Sequence, residues 1–360
     1  MTVKLPLIEN LDVAGKRVLI RADLDVPIAK VKDGNSQEIE LKVIDDARIR
    51  EIIPTFKTIL DKGCKTIVIF GHLGHETGAR ATSTFAVLGT LEKLLGQPVS
   101  FFSEALKQGR LNVPPNENVR VGLLENLRFY ESEETNDKNF SEMIAGFGDI
   151  YINESFATSH RVHASLVGVP KVMREQNKPV AAGLRFTQEV SMLSRVLENP
   201  KRPLVVIIGG AKLESKLPVI TKMEKFADRV LVGGKLPSEI AAEGLKFSDK
   251  VVVASITKSG KDIDEESQRR FKSEISVAET VVWGGPMGVF EEEENERGTK
   301  EIALAIADCS GYKVAGGGDT QEAIRKFDQM EKFDWLSIGG GAMLEFLATG
   351  TLPALEALLG

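Results

Sequence analysis

Short runs of nearly continuous apolar residues recur along the chain and alternate with stretches in which apolar residues have helical spacing. Such runs are typical of parallel sheets, because helices cover both faces of the sheet and bury each strand on both sides. Four runs in the first half and six in the second predict strands over residues 17–21, 66–70, 119–123, 149–152, 204–208, 229–232, 251–254, 280–283, 312–315 and 335–338. The pattern therefore predicts an α/β fold class with two sets of parallel strands.

A helical stretch at residues 187–197 lies between the two sets of strands and is followed by Asn199 and Pro200. An asparagine-proline pair ends a helix, so this stretch is the best candidate for a boundary between two domains. The length of 360 residues also fits two domains. A helix that joins two doubly wound halves suits a hinge, and one more crossover helix is the alternative.

Histidine and arginine are concentrated in the segments that follow the first-half strands. All four histidines of the chain lie there, together with Arg21, Arg128 and Arg161. Ligands of open parallel sheets bind beyond the carboxyl ends of the strands, where these segments meet. Arginine pairs with carboxylate or phosphate, and histidine donates hydrogen bonds to them. Each residue alone is more often an ordinary surface residue, but their joint placement predicts a site for a small anion.

Glycine-rich segments follow the second-half strands instead, at residues 209–212, 233–235, 284–288, 316–320 and 339–342. Glycine lets backbone amides approach a phosphate closely, and a helix that begins next adds the positive end of its dipole. Paired glycines also serve ordinary turns, so each segment alone is a weak signal. The sequence has neither a P-loop nor a well-placed dinucleotide-binding glycine fingerprint. Five such segments together favour a nucleotide site.

Three charged residues beside these glycines fit phosphate chemistry. Lys212 and Lys216 are four residues apart. They would share one face if the segment is helical, and both would then point at phosphate oxygens; solvated lysines are the alternative. Asp319 follows a triple glycine, where it either ligates Mg²⁺ or caps the next helix. An anion site, a nucleotide site and a helical hinge predict a kinase that brings a small acidic substrate to a nucleotide by domain closure.

Charge and cysteine content narrow the choice of partners. The chain has 46 lysines plus arginines against 52 aspartates plus glutamates, a net charge of −6, which argues against general affinity for nucleic acid or anionic membranes. Its two cysteines, Cys64 and Cys309, cannot build a disulfide framework. No segment has the pattern of a signal peptide or of a membrane span. We expect a cytoplasmic monomer without nucleic-acid or membrane partners.

The segments that follow the strands also resemble those of a known family. The matching strings, in chain order, are RADLDVP at 21–27, DARI at 46–49, HLG at 72–74, LENLRF at 124–129, HRVHAS at 160–165, GGAK at 209–212, VWGGPMGVFE at 282–291, GGDT at 317–320 and GGGA at 339–342. They resemble the phosphoglycerate kinase family over nearly the whole chain, and HRVHAS and GPMGVFE are highly specific. The resemblance implies two Rossmann-like domains with parallel sheets joined by a hinge helix.

The resemblance also implies an activity and a division of the chain. The activity is reversible phosphoryl transfer between 1,3-bisphosphoglycerate and ADP, which gives 3-phosphoglycerate and ATP with Mg²⁺, a step of glycolysis and gluconeogenesis. The expected division is a phosphoglycerate-binding domain at 1–183, a hinge helix at 184–200 and a nucleotide-binding domain at 201–345. Residues 346–360 would form a tail that packs back towards the first domain.

The roles of individual residues follow from the same resemblance. Arg48 and Lys216 would be catalytic, because they would neutralise the transferred phosphoryl group. Phosphoglycerate would be held by Arg21, Asp23, Asp25, Arg48, His72, His75, Arg128, His160, Arg161 and His163. The nucleotide would be held by Gly210, Lys212, Lys216, Gly233, Gly285, Pro286, Glu291, Gly317, Gly318, Asp319 and Thr320. Of these, Glu291 would take the ribose hydroxyls and Asp319 would carry Mg²⁺.

Several residues depart from the pattern of the family. Asp25 and Gly284 stand where asparagine is usual, His75 where arginine is usual, and Ser215 where aspartate is usual. Asp25 would repel the substrate or pair with a nearby arginine, and His75 replaces a permanent charge with a titrating one. Two alternatives to an active phosphoglycerate kinase follow. One is a catalytically weakened relative with a nucleotide-binding or regulatory role, and the other is a kinase for a different acid.

Overall fold

Two six-stranded parallel sheets organise the chain. A computed structural model describes residues 4–32, 39–74, 76–78, 81–111 and 119–360. Among these residues, one compact unit comprises 4–190 with 352–360, and a second comprises 191–351. We call them the N-terminal unit and the C-terminal unit.

The strands and helices of the N-terminal unit alternate along the chain, apart from one hairpin. Its strands are β1 (Arg17–Ala22), β2 (Ile28–Lys32), β3 (Ile39–Val43), β4 (Thr66–Phe70), β5 (Ser100–Phe102), β6 (Val121–Leu124), β7 (Ile150–Glu154) and β8 (Val180–Ala182). Its helices are α1 (Ala47–Asp61), α2 (Leu88–Leu95), α3 (Ala105–Gln108), α4 (Glu131–Glu134), α5 (Lys138–Ala145), α6 (Val169–Glu175), the first part of α7 (Leu184–Glu198), and α14 (Pro353–Leu359). A π-helical turn at Ala164–Gly168 leads into α6.

The sheet of the N-terminal unit has the strand order β5-β6-β4-β1-β7-β8. The chain begins in β1, adds strands on one side and then on the other, so the strand order reverses at β1. In parallel α/β sheets this reversal opens a crevice at the carboxyl ends of the strands. The hairpin of β2 and β3 is antiparallel and separate, with Ile28 opposite Val43.

The C-terminal unit repeats this plan. Its strands are β9 (Leu204–Ile208), β10 (Arg229–Val232), β11 (Val251–Val253), β12 (Thr280–Gly284), β13 (Tyr312–Gly316) and β14 (Trp335–Ser337). Its helices are the rest of α7, α8 (Leu213–Phe226), α9 (Leu236–Ala242), α10 (Glu265–Ser276), α11 (Arg297–Asp308), α12 (Gly318–Lys326) and α13 (Gly340–Thr349). The order β11-β10-β9-β12-β13-β14 reverses between β9 and β12.

Helices with one apolar face cover each sheet. In α1, buried residues recur at spacings of three and four, as Ile49, Ile52, Phe56 and Ile59, which is the pattern of a helix packed on a sheet. These side chains join one hydrophobic core with the apolar residues of β1 and β4. A second core in the C-terminal unit surrounds Trp283, which is fully buried. Each fully buried side chain of this size contributes about 2–3 kcal/mol through its burial.

The observed architecture confirms the predicted α/β fold class. Each of the ten predicted runs overlaps a strand, although β6 begins two residues later than expected, at Val121. Strands β5 and β8 were not predicted, because β5 begins with a polar serine and two of the three residues of β8 are alanines, so neither has a strong β-forming apolar run. The hairpin of β2 and β3 was also missed, since its residues alternate between apolar and polar instead of forming a continuous apolar run.

Two helices near the end of the chain are apolar enough to compare with membrane segments. Within the described residues, no single helix is long and apolar enough to cross a membrane. Helices α13 and α14 together reach the required length and apolar composition, but they form a bent pair. Helix α14 packs in the N-terminal unit, where the backbone N–H of Ala354 donates to the carbonyl of Ser159 and Arg174 donates to the carbonyl of Leu358.

Candidate active site

Charged side chains of the N-terminal unit gather at the carboxyl ends of four adjacent strands, β6, β4, β1 and β7. Arg48, at the start of α1, joins them. Hydrogen bonds, ion pairs and mutual electrostatic effects connect the members of this anion-site cluster: Arg21, Asp23, Asp25, Arg48, His72, Arg128, His160, Arg161 and His163. The structure thus brings these expected side chains together. His75 lies outside the described residues.

Asn126 fixes the loops that carry two of these side chains. Its side-chain N–H groups donate to the carbonyls of Leu73, at 2.8 Å, and Thr82, at 2.7 Å. Its side-chain oxygen accepts from the backbone N–H of Arg128 at 3.0 Å. The loop after β4 is therefore tied to the turn after β6, and His72 and Arg128 are held on one framework.

Arg21 determines the protonation of His72. A guanidinium N–H of Arg21 lies 3.0 Å from Nδ1 of His72. Because arginine has donors and no acceptor, Nδ1 of His72 accepts and the ring proton is on Nε2. Burial lowers the pKa of His72 well below its usual range, and the nearby Arg21, Arg128 and Arg161 lower it further. His72 is thus a neutral imidazole with one N–H donor at Nε2.

Two carboxylates share the positive charge of Arg48. Nη1 of Arg48 lies 3.5 Å from Oδ1 of Asp23 and 3.9 Å from Oδ2 of Asp25. Asp23 is fully buried, and its Oδ2 accepts no hydrogen bond from the described residues. Asp25 accepts from the backbone N–H of Gly74 at 2.8 Å and approaches Nε2 of His72 to 3.8 Å. Of the two alternatives for Asp25, the structure shows the arginine partner.

The remaining basic side chains of the cluster lie close together, and the charged arginines among them repel one another. Burial, followed by Arg161, lowers the pKa of Arg128, which also donates to the carbonyl of Gly74 at 2.8 Å. Burial lowers the pKa of His163 to about 4, and Arg161 adds to this effect. Like charges held together in a partly buried site attract an anion that neutralises them. The arrangement is suited to binding a small molecule with several negative charges.

The glycine-rich segments of the C-terminal unit form a second site by backbone contact. The N–H of Gly209 donates to the carbonyl of Gly284, and the N–H of Gly210 to the carbonyl of Pro286. The N–H of Lys235 donates to the carbonyl of Gly210. The ends of β9, β10 and β12 are thereby joined into one platform, which lies where the strand order of the sheet reverses.

Close approach of the backbone explains why glycine is needed in this platform. A Cβ on Gly285, whose φ is +94°, would lie 2.3 Å from the carbonyl oxygen of Gly209. A Cβ on Gly233 would meet the side chain of Met287 at 2.6 Å. The N–H of Gly285 donates to the hydroxyl of Thr320 at 2.8 Å, so that hydroxyl stabilises the platform.

Helix α12 presents its amino terminus beside this platform. Gly317, with a φ of +105°, occupies the N-cap position, and no side chain from the part of the chain that the structure describes caps the helix. The exposed Gly318 and Asp319 form its first turn. Asp319 is therefore not the helix cap that the sequence left open as one of its two roles.

The two predicted lysines differ in their surroundings. Lys212 precedes α8 in an extended backbone conformation, so it does not share a helical face with Lys216. Burial lowers the pKa of Lys216, and the carboxylate of Asp319 opposes this shift, so the two side chains interact across the site. Glu291, the expected ribose ligand, is exposed after Phe290.

Two buried residues connected to the cluster were not predicted. Ser165, the last residue of the HRVHAS string, accepts a hydrogen bond from Arg21 at 2.9 Å. Glu133 accepts hydrogen bonds from both the backbone and the hydroxyl of Ser165. The position of Ser165 within the HRVHAS string could have indicated its role in the site. Nothing in the sequence indicated the role of Glu133, because its contact joins residues 32 positions apart.

The fold and the two groups of strand-end residues indicate a class of protein, an α/β kinase, with a cluster of charged side chains in one unit and a glycine platform in the other. Comparison with known proteins gives the family. The phosphoglycerate kinase family model matches residues 8–255 and 236–350. The chain therefore belongs to the phosphoglycerate kinase family.

Individual relatives match over nearly their whole length. The chain is 34% identical over 397 residues to the phosphoglycerate kinase of Dictyoglomus turgidum, covering 96% of each chain. It is 31% identical over 399 residues to that of Helicobacter hepaticus, covering 98% of this chain and 96% of the relative.

Solved structures agree with this. The structure of phosphoglycerate kinase from Coxiella burnetii has a TM-score of 0.77 and 28% identity, with 99% of both chains covered. That from Pyrococcus horikoshii has a TM-score of 0.79 and 27% identity, with 98% of both chains covered. The chain is an ATP-binding transferase with phosphoglycerate kinase activity, and it belongs to glycolysis.

Proposed function

We propose that the anion-site cluster of the N-terminal unit holds 3-phosphoglycerate or 1,3-bisphosphoglycerate and that the glycine platform of the C-terminal unit holds ADP or ATP. The observation that carries the proposal is the placement of Arg21, His72, Arg128 and Arg161 at one edge of a single sheet, where, beyond the effect of burial, the three arginines lower the pKa of His72 and Arg161 lowers the pKa of Arg128. A carboxylate and a phosphate on one small molecule would neutralise such a cluster.

Lys216 and Arg48 are the proposed catalytic residues. Phosphoryl transfer depends on in-line positioning and on neutralisation of the charge on the transferred group, and no covalent intermediate is needed. Lys216 is partly buried and interacts electrostatically with the carboxylate of Asp319, which supports a role for its charge at the proposed nucleotide site. Arg48 is tied to Asp23 and Asp25, and these contacts hold its charge at the phosphoglycerate site.

Asp319 is the proposed protein ligand of Mg²⁺. Among the described residues no group of three or more histidine, cysteine, aspartate or glutamate side chains could hold a metal ion. This fits Mg²⁺, which usually takes one or two carboxylates and completes its coordination with nucleotide phosphates and water. When bound, the ion would neutralise charge on those phosphates. The uncapped amino terminus of α12 beside Asp319 would bind phosphate oxygens through backbone N–H groups.

We also propose that α7 acts as a hinge. The division between the two units falls within this helix, between Val190 and Ser191. Transfer of a phosphoryl group between ligands held on separate units requires that the units close upon each other. A monomeric state and a cytoplasmic location, both expected from the sequence, remain predictions.

Isothermal titration calorimetry with each ligand alone tests the division of labour. Arg128→Ala should weaken binding of 3-phosphoglycerate by about 100-fold, since a charge-assisted contact contributes about 3 kcal/mol. The same variant should leave ADP binding unchanged. Asp319→Asn should lower the benefit that Mg²⁺ gives to ADP binding and leave 3-phosphoglycerate binding unchanged. Loss of both ligands in either variant would contradict the proposal.

A further inference from the structure

A buried series of hydrogen bonds runs from α4 to His72 in the N-terminal unit. It begins at Glu133, which is 1% exposed. Oε2 of Glu133 accepts from the backbone N–H of Ser165 at 2.9 Å, and Oε1 lies 2.5 Å from the Ser165 hydroxyl oxygen. The serine that ends the HRVHAS string is thus held at two points by one carboxylate.

The direction of each hydrogen bond in this series is determined by chemistry. Nε of Arg21 lies 2.9 Å from the Ser165 hydroxyl oxygen and can only donate to it. Ser165 therefore gives its single hydroxyl proton to Oε1 of Glu133, and a carboxylate of Glu133 accepts from both Ser165 donors at once, one at each oxygen. If Oε1 of Glu133 carried a proton, it would donate to the Ser165 hydroxyl oxygen instead of accepting from it. The hydrogen bond between Glu133 and Ser165 would then be reversed.

The series then fixes the plane of the Arg21 guanidinium. Its Nε donates to Ser165, Nη1 donates to the carbonyl of Ala22, and Nη2 donates to Nδ1 of His72 at 3.0 Å. A planar group held at three positions cannot rotate without breaking one of them. Tyr151 also helps to hold Ser165 in place, because its hydroxyl donates to the backbone carbonyl of Ser165 at 2.8 Å.

From this geometry we propose that Glu133 is a positioning residue which, through Ser165 and Arg21, sets the tautomer and orientation of His72 and so directs its Nε2–H donor towards the phosphoglycerate. The inference rests on the proposed role of the anion-site cluster in holding that substrate. Glu133 itself contacts Ser165 and lies 3.8 Å from Nδ1 of His163. Its effect on His72 is transmitted by hydrogen bonds across Ser165 and Arg21.

Two substitutions break the series at different points. In Glu133→Gln the shape is kept, but the amide NH₂ would donate towards Ser165 and reverse the hydrogen bond that orients it. Ser165→Ala keeps the charge of Glu133 and removes the hydroxyl that links it to Arg21. Ser165→Thr restores the hydroxyl and should recover the properties of the wild-type protein. The control is Glu134→Gln, which removes the same charge from the exposed neighbouring residue.

The first measurement is the ¹⁵N spectrum of the His72 side chain in the full-length protein. Wild type and Glu134→Gln should show one tautomer, with Nδ1 as a strongly hydrogen-bonded acceptor. Glu133→Gln and Ser165→Ala should shift the Nδ1 resonance towards that of a histidine without this hydrogen bond. If either of these two variants fails to fold, the other provides the same test. An unchanged Nδ1 resonance in the folded variants would overturn the proposal.

The second measurement separates this proposal from the proposed function. Glu133→Gln and Ser165→Ala should raise the KM for 3-phosphoglycerate by about tenfold, the effect of one hydrogen bond, with the KM for ATP and kcat nearly unchanged. His72→Ala provides the reference for the site. If His72→Ala raises this KM and the two variants do not, the positioning role is wrong. If His72→Ala has no effect while the ¹⁵N shift occurs, the assignment of the substrate to this cluster is wrong and the hydrogen-bond series stands.

Discussion

At the scale of the residue, the anion-site cluster contains an unexpected negative charge. Asp25 is held by the backbone N–H of Gly74 and lies 3.8 Å from His72 and 3.9 Å from Arg48. A carboxylate in this place neutralises part of the charge that the substrate would use. The aspartate at position 25, where the family usually has asparagine, thus lowers the attraction of the cluster for an anion. It does not disturb the local fold, because an asparagine oxygen would accept the same hydrogen bond from Gly74.

Replacement of Asp25 by asparagine should therefore tighten binding of 3-phosphoglycerate. We expect KM to fall on the order of tenfold at low salt, since charges a few ångströms apart interact with about 1–3 kcal/mol in a partly exposed site, and the gain should shrink as salt is added. Steady-state kinetics at two ionic strengths provides the measurement. Asp61→Asn, at the exposed far end of α1, is the control, and equal effects of the two substitutions would contradict this account.

The members of the anion-site cluster were predictable from the sequence, whereas the hydrogen-bond partners that hold them in place were not. Histidines and arginines that follow parallel strands must meet at one edge, so the membership of the cluster followed from the strand pattern. The link from Glu133 to Ser165 depends on how α4 packs against the π-helical turn, which no local pattern encodes. Lys212 and Lys216 would share one face only if the whole segment were helical, but α8 begins between them, at Leu213.

At the scale of the element, the amino terminus of α7 depends on a buried carboxylate from β7. Glu154 accepts from the backbone N–H groups of Arg185, at 3.0 Å, and Phe186, at 3.1 Å. It also accepts from the hydroxyl of Thr55 at 2.6 Å. A side chain outside the helix thus fills the role of an N-cap. Burial raises the pKa of Glu154 to about 7, against the lowering effect of these hydrogen bonds.

This raised pKa predicts a pH dependence of stability. The folded protein binds the Glu154 proton more tightly than the unfolded chain, whose glutamates titrate near 4.5. The contribution is fully present below about pH 4.5 and is lost as the pH rises through about 7. We expect the free energy of unfolding to fall by about 3 kcal/mol across that window because of this group.

Urea unfolding at pH 5 and pH 8, followed by circular dichroism, measures this effect. The difference between the two pH values should be about 3 kcal/mol larger in the wild-type protein than in Glu154→Gln, which does not titrate. Glu51→Gln serves as the control, because Glu51 contacts the same Arg185 but is half-exposed. An identical pH dependence in the wild-type protein and Glu154→Gln would show that Glu154 does not carry this proton.

The glycine platform should not tolerate a side chain at Gly285. Gly285 has a φ of +94°, and a Cβ there would collide with the backbone of Gly209. Gly285→Ala should therefore displace the turn after β12 and weaken ADP binding by at least tenfold. Gly89→Ala, in α2, meets open space and should leave ADP binding unchanged while it stabilises the protein by up to about 1 kcal/mol. Calorimetric titration with ADP distinguishes the two, and normal affinity in Gly285→Ala would exclude a strict need for glycine there.

At the scale of the whole molecule, both sheets follow one plan. The chain starts each sheet in a central strand, β1 or β9, and builds outward on both sides. Continuous apolar runs made most of these strands predictable from the sequence. Strands β5 and β8 were missed because a serine in β5 and two alanines in β8 weaken the apolar pattern. If the proposed ligand sites lie at the carboxyl ends of the two sheets, one chain can bind two substrates on separate units.

Such a division requires closure, and closure is measurable. The radius of gyration from small-angle X-ray scattering should decrease when 3-phosphoglycerate and the magnesium complex of a non-hydrolysable ATP analogue are both present. Either ligand alone should have a smaller effect. Arg128→Ala, which is expected to lose the phosphoglycerate, should not show the full decrease. An unchanged radius of gyration with both ligands bound to the wild-type protein would contradict the hinge proposed at α7.

The central claim is that cations at the strand ends of one unit and a lysine beside the glycine platform of the other pass a phosphoryl group between their ligands. ATP-dependent phosphorylation of 3-phosphoglycerate, followed through a coupled assay, tests it most directly. The wild-type protein should be active, and Lys216→Ala and Arg48→Ala should each lose at least 100-fold in kcat. A wild-type rate no higher than that of Lys216→Ala would contradict the claim and favour a weakened, nucleotide-binding relative instead.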